Sequence, residues 1–292
     1  TLANIAAAAV LLVTWADSYR GPASYEIAGR SVRAGTLGGR VLWLFDAGRP
    51  VSVPSTLRGG RPARPADLDG DGRPGVVVAV REGGGVGGGS AGDAIYALGP
   101  DGSLRWRVVP DLVLRDNTRE FRGPWNVRAF VIDDSDGRTT TYAAFTHASW
   151  RPSFVLRIDA DGTAEVAYLQ DGWVYALATW EMQGERYLAA GGNVAGHDRP
   201  SVALLPRDAP GARLEVDPGN PLRCEGCPEH PPARLVLLPN TDVTRAIYRP
   251  FGWVWMLRVM DDQLRVSVDA GFGEGTLSQA LRLTPHALRG KR

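Results

Sequence analysis

Apolar and polar positions alternate along most of the chain in short runs of five to nine residues, broken by Gly, Pro and Asp. That period of two is the signature of strands with one buried face. Four segments share one plan: a strand, a polar turn, a second strand, a longer loop, a third strand, a tight turn and a fourth strand. The last hairpin of each copy shows it best: DAIYALGPDGSLRWRV from Asp93, SFVLRIDADGTAEVAYL from Ser153, SVALLPRDAPGARLEV from Ser201 and WVWMLRVMDDQLRVSV from Trp253. Each sets an apolar run against an alternating one across Gly102, Gly162, Gly211 or Asp262, residues that tolerate the backbone angles tight turns need.

The copies span about residues 64–109, 127–169, 174–216 and 233–268, steps of roughly 50–60 residues, the size of a four-stranded propeller blade. The inner strands are apolar on both faces and the outer ones alternate, as expected when the first strand of each blade lies at the centre. A half unit, Ser31–Gly48, precedes them, and Thr276–Thr284 reads as a strand without a unit of its own. Joined, the two predict a fifth blade closing the ring. The expected fold is therefore all-β: a small β-propeller of four-stranded antiparallel blades over residues 21–292, five blades favoured and four the alternative. A β-sandwich does not explain the recurring unit.

Residues 1–20 stand apart. Leu2–Trp15 is apolar except for Asn4 and Thr14, carries no charge, and is followed by Tyr19 and Arg20. This reads as a truncated transmembrane helix that tethers the rest on the periplasmic or extracellular side. A signal-peptide remnant and a core helix are the other readings. The first residue is Thr1, as in a fragment or processed product.

Composition adds little. Hydrophobic residues make up 44 % and charged residues 22 %, with Gly 36 and Pro 21, normal for a turn-rich globular chain. A net charge of +1 gives no general attraction to nucleic acid. No catalytic motif such as Gly-x-Ser-x-Gly or His-Glu-x-x-His occurs, and Gly83–Ser90 lacks the Lys-Ser/Thr ending of a phosphate loop. No organic cofactor is expected.

Three sets of residues carry candidate chemistry. Asp67, Asp69 and Asp71 alternate with Gly70 and Gly72 near them, so their carboxylates can enter one small loop, with the carbonyl of Arg73 as a further oxygen. An oxygen cage of that kind suits Ca2+; an Asp-Gly turn without an ion is the alternative. Cys224 and Cys227, the only cysteines, read as a local disulfide outside the cytoplasm, with zinc or redox chemistry as the sharper alternative. The third set lies in the second-to-third strand loops and blade connections, which share one face of a propeller: His147, Trp150 and Arg151, then His197, Asp198 and Arg199, then Arg249 and Phe251, with His230 nearby. Arginines and aromatics together suit acidic sugars, carboxylates or a protein partner. Trp125, Trp150 and Trp253 are able to stack on sugar rings or to fill gaps between blades.

The segment DLDGDGRPG (67–75), followed by VVVAV, resembles the FG-GAP or VCBS-type propeller repeats of integrin α chains and many bacterial surface proteins. In that family such a loop joins the first two strands of a blade and holds calcium. Here the acidic residue that ends the pattern is replaced by Gly75. The hairpins IYALGPDGSLRW and GRVLWLFD are similar to PQQ-type blades. The resulting expectation is a membrane-tethered extracytoplasmic binding or sensing module with a carbohydrate or protein ligand. The alternatives are a polysaccharide-active enzyme or its substrate-binding part, and a structural interaction scaffold.

Overall fold

The computed structural model describes residues 22–57, 61–83, 92–195, 199–207, 212–214, 221–225, 227, 234–238, 252–269 and 278–283. The chain is all-β; the helical element among these residues is one short 3-10 turn, Ser135–Gly137. No helix among them is long and apolar enough to cross a membrane, and residues 1–20 lie outside the described residues.

Five antiparallel sheets follow one another along the chain. The first holds Ser24–Ala28, Ser31–Gly35 and Val41–Asp46. The second holds Ala63–Ala66, Gly75–Glu82, Asp93–Leu98 and Leu104–Val108, with the short Val51–Ser52 beside it. Trp125–Asp133, Thr140–His147, Pro152–Ile158 and the front of Ala164–Met182 make the third. The back of that long strand opens the fourth, with Glu185–Val194, Arg199–Pro206 and Arg234–Leu237. Trp253–Met260, Gln263–Asp269 and Ser278–Leu283 make the fifth. A small sixth sheet pairs Leu114–Arg115 with Glu120–Phe121 and Arg223–Cys224.

Consecutive large sheets pack face to face, and the period-two pattern shows why. In the second sheet, Val76, Val78, Ala94 and Tyr96 face the first sheet's Val32 and Trp43. Their neighbours Val77, Ala79, Ile95 and Ala97 face the third sheet's Val127, Phe145 and Phe154. The third meets the fourth through Val155, Tyr168, Val174 and Leu188, and the fourth meets the fifth through Trp180, Val202, Val254 and Val266. Burying such side chains is worth about 1.5–3 kcal/mol each, so both faces of each inner sheet contribute to the core.

A common detail recurs at each step. Val127, Val174 and Val254 are each followed by a bulged residue, Arg128, Tyr175 and Trp255. A bulge flips the alternation after it: Val127 and Phe130 face the second sheet while Ala129 and Val131 face the fourth. Each valine shares a core cluster with a middle-strand residue of the sheet before it, Ile95, Val155 and Val202 respectively. A second device is a tryptophan seated on the next sheet's tight turn. Trp43 lies over Gly102 and Trp106 over Gly162, so close that a Cβ on either glycine would fall 2.8 Å from the nearest ring atom. Both glycines also have positive φ, and Trp106 Nε1 donates to Ala160 O at 3.0 Å.

The later repeat boundaries differ from the sequence expectation. Ala212–Leu214 pairs in parallel with Tyr168–Gln170 instead of closing the unit 174–216 as its antiparallel last strand. Arg234–Leu237 takes that outer place against Arg199–Pro206, so it does not open a unit 233–268. Trp253–Met260 has the bulge of a first strand. Ser31–Gly35 and Val41–Asp46 pair with Ser24–Ala28, and Ser278–Leu283 pairs with Gln263–Asp269; the described pairings contain no blade shared between 31–48 and 276–284. Short apolar runs carry no record of which neighbour they pair with, and that is the physical reason for the shift.

Candidate functional site

The loop between Thr140–His147 and Pro152–Ile158 is built around His147. Its Nδ1 accepts the N–H groups of Ser149 and Trp150, both at 3.1 Å. Its Nε2 contacts Arg122 O at 2.9 Å. Only the neutral ring with the proton on Nε2 satisfies all three contacts. Burial pushes the His147 pKa down, with the Arg122 carbonyl pulling the other way. The ring also stands edge-on to Trp125 and Phe121. His147 is thus a loop anchor.

What the anchor presents is Trp150, 50 % exposed. The Arg119 guanidinium lies 4.6 Å from its ring centroid and 6.0 Å from that of Phe121. Arg119 is itself held by a turn in which the Asp116 carboxylate accepts the N–H groups of Thr118 and Arg119. Next in the loop, Arg151 lies 5.8 Å from the Trp173 ring. From there aromatic rings continue to Tyr175 and Trp253 at centroid spacings of 6.0 and 6.1 Å, with Arg128 5.5 Å from the Tyr175 ring. Arginine and aromatic side chains therefore line one strip from Trp150 to Trp253, exposed at Trp150 and buried at Tyr175 and Trp253. Cation–π contacts of this kind steady the guanidinium planes against the rings.

Beside the strip, Arg115 pairs with Glu120 at 2.8 Å and Glu225 at 3.1 Å, and Arg122 also pairs with Glu120. Cys224 and Cys227 form a disulfide. Cys224 lies opposite Leu114, and both cysteines pack on the core between the second and third sheets. The bridge holds the small sheet down over that interface.

The other expected residues are placed differently. Arg199 Nε donates to Leu238 O at 3.1 Å, tying the edge of the fourth sheet rather than joining the strip. His197, Asp198, Arg249 and Phe251 lie outside the described residues, as does His230. Arg119, Phe121, Arg128, Trp173 and Tyr175 belong to the strip and were not singled out from the sequence. One signal for them exists: Gly172-Trp173-Val174-Tyr175 and Gly252-Trp253-Val254-Trp255 repeat the same pattern.

At the opposite end of the sheets, Asp67, Asp69 and Asp71 place one carboxylate oxygen each within 4.8 Å of one another. Oxygen donors alone are the set a hard cation takes. In this structure the same groups hold the turn themselves. Asp67 accepts the N–H groups of Gly70 and Gly72 at 3.0 and 2.9 Å, Asp71 accepts that of Arg73 at 2.7 Å, and Asp69 pairs with Arg105 at 2.9 Å. A cation in this loop would compete with Arg105 for the Asp69 carboxylate.

No known protein family matches the chain, and no curated protein matches it. Among solved structures, a mutant of the Synechocystis apocarotenoid oxygenase is similar at 12 % identity over 89 % of this chain and 71 % of that one, with a TM-score of 0.34. A likeness of that size carries no argument.

The neutral His147 makes a testable point. A histidine whose pKa is lower folded than unfolded contributes stability that is complete above the unfolded value near 6.5 and is lost as pH falls through the folded one. Between pH 7.5 and 5.5 the thermal midpoint is expected to fall, with a change in tryptophan emission as Trp150 is released. In His147→Asn, whose side-chain oxygen still accepts both N–H groups, that part of the slope should vanish. Equal slopes in the two proteins would contradict the anchor role.

Proposed function

We propose that this chain is a small β-propeller that works as a binding or sensing module, tethered through residues 1–20 on the extracytoplasmic side of a membrane, and that its ligand meets the strip from Trp150 to Trp253. Five successive sheets packed face to face, with a bulged strand recurring in the same relation to the sheet before, support a radial arrangement. The disulfide supports an oxidising compartment.

The observation that carries the functional reading is the pairing of guanidinium groups with exposed or half-buried rings, Arg119 on Trp150 and Arg151 on Trp173. An aromatic face takes the apolar side of a sugar ring, and arginine takes a carboxylate in a two-pronged contact. An acidic glycan satisfies both at once. Titration with polygalacturonate, followed by tryptophan fluorescence, should show saturable binding. Hydrogen bonds to charged groups contribute about 1.5–3 kcal/mol, so Arg151→Ala should weaken binding about tenfold or more, and Trp150→Ala, which removes the stacking face, should weaken it as well. Arg105→Ala, on the opposite end, should leave it unchanged. Full binding by the Trp150→Ala, Arg151→Ala double variant would refute the reading.

A further inference from the structure

The two ends of the third sheet's first strand lie at different places. Trp125 packs on His147 beneath the strip. At about 3.3 Å per residue, Asp133 at its other end is roughly 26 Å away. There a cavity of about 910 Å³ opens between the first, second and third sheets, bordered by Ser24, Tyr25, Arg61, Arg64, Ile132 and Asp134.

Its polar groups are unbalanced. Among the described residues, neither Arg61 nor Arg64 has a carboxylate within ion-pair distance, whereas eleven other arginines do. Arg64 Nε is withdrawn from solvent without a hydrogen-bond partner, and so is the Tyr25 hydroxyl. The Arg64 guanidinium is steadied from one side by the Phe130 ring, 5.4 Å from its centroid. Burial, and then the charge of Arg61, pull the Arg64 pKa down, and burial pushes the Tyr25 pKa up to about 12. Asp134, the acid on the rim, already accepts a hydrogen bond from Thr139 Oγ1 at 2.9 Å. Two like charges and a buried hydroxyl thus face one space, in which Arg64 Nε and the Tyr25 hydroxyl have no acceptor. A buried charge without a partner is costly, and a donor left unsatisfied adds to that cost. An anion relieves both.

We infer that the cavity lined by Tyr25, Arg61 and Arg64 binds a small oxyanion, a phosphate or a carboxylate group. Its oxygens accept from the two guanidinium groups and from the Tyr25 hydroxyl, and its charge offsets the Arg61–Arg64 repulsion. The site is separate from the strip and stands whether or not that strip binds a glycan.

The test is the thermal midpoint in inorganic phosphate and in citrate, each compared with sodium chloride at the same ionic strength. One or both should raise the midpoint by about 2–4 °C at tenfold excess over Kd, and the arm that responds assigns the anion. In Arg61→Gln, an exposed position, the rise should shrink at least threefold, while the ligand-free midpoint stays level or rises because a repulsion is gone. In Arg64→Met, which keeps the apolar stem against Phe130, the rise should disappear. Tyr25→Phe should weaken the response without lowering the ligand-free midpoint. No rise in either anion, or an equal rise in Arg61→Gln, would overturn the inference.

Discussion

Replacing Asp93 by alanine should cost about 3–5 kcal/mol of stability, the range for removing one partner of a buried charge pair. The Asp93 side chain is fully buried. One oxygen accepts from Arg81 Nε at 2.9 Å, and the other accepts the Val127 N–H at 2.9 Å. Arg81 continues to Asn126 Oδ1 at 3.1 Å, and Thr56 donates to Val127 O at 2.8 Å. This network fixes the first strand of the third sheet, at its bulge, to the second sheet. Burial raises the Asp93 pKa despite the opposing pull of Arg81 and Val127, so the carboxylate specifies position more than it adds net stability. Without it, the Val127 N–H is left buried and unmatched, and the partly exposed Arg81 loses its charge partner while keeping Asn126. Asp93→Asn keeps an acceptor for Val127 and should lose less. Urea unfolding of the three proteins measures this. An Asp93→Ala protein within about 1 kcal/mol of the parent would mean that the sheets dock without the network. In the next interface Ser153 has the same task, its Oγ accepting the Val174 N–H at 3.3 Å.

A still larger loss is expected for Gly192→Ala, above about 4 kcal/mol, where point substitutions become exceptional. A Cβ there would lie 1.7 Å from the Trp173 carbonyl oxygen and 2.7 Å from its carbon. No rotamer relieves a clash with backbone. The approach is enforced from several sides: Asn193 Oδ1 accepts the Trp173 N–H at 3.1 Å, and Gln170 Nε2 donates to Trp173 O at 3.0 Å and to Asn193 O at 2.6 Å. Gly191→Ala is the internal comparison. Its Cβ would meet the Val254 side chain, 2.5 Å from Cγ1, and a side chain gives more readily than a strand. Denaturation should therefore rank the parent above Gly191→Ala and both above Gly192→Ala, which is expected to lose cooperative folding. A reversal of the two glycine variants would show that the strand pair is looser than described. Trp173 belongs to the strip, so the same close packing that stabilises the fourth sheet also positions a ring of the proposed ligand surface.

Much of the strand content was legible because alternation is a direct consequence of pleating. VVVAV and AIYAL show apolar residues on both faces, and both faces are buried. Pairing was less legible. RLVL at 234–237 reads as the start of a unit, yet it closes the sheet before it, because an apolar run fits either place. The bulges at Arg128, Tyr175 and Trp255 shift the alternation by one residue. The repeated Gly-Trp-Val that announces two of them is short and separated by most of a repeat and a connection. Cys224 and Cys227 were readable from spacing, and they are bonded. His147 was readable as a residue of the loop face, but not as its anchor. That role depends on two N–H groups two and three residues ahead and on the Arg122 carbonyl from another strand connection. Arg119 was invisible for the same reason: its ring partner Trp150 is distant in sequence.

The most direct measurement of which surface binds is hydrogen exchange with and without saturating polygalacturonate. Exchange reports local opening of the backbone segment by segment. Slowed exchange confined to residues 116–122, 147–151, 172–175 and 253–255 is the result expected if the Trp150–Trp253 strip holds the ligand. Protection centred instead on the Asp67–Arg73 turn, or saturable binding with no protection at 147–151, would contradict it.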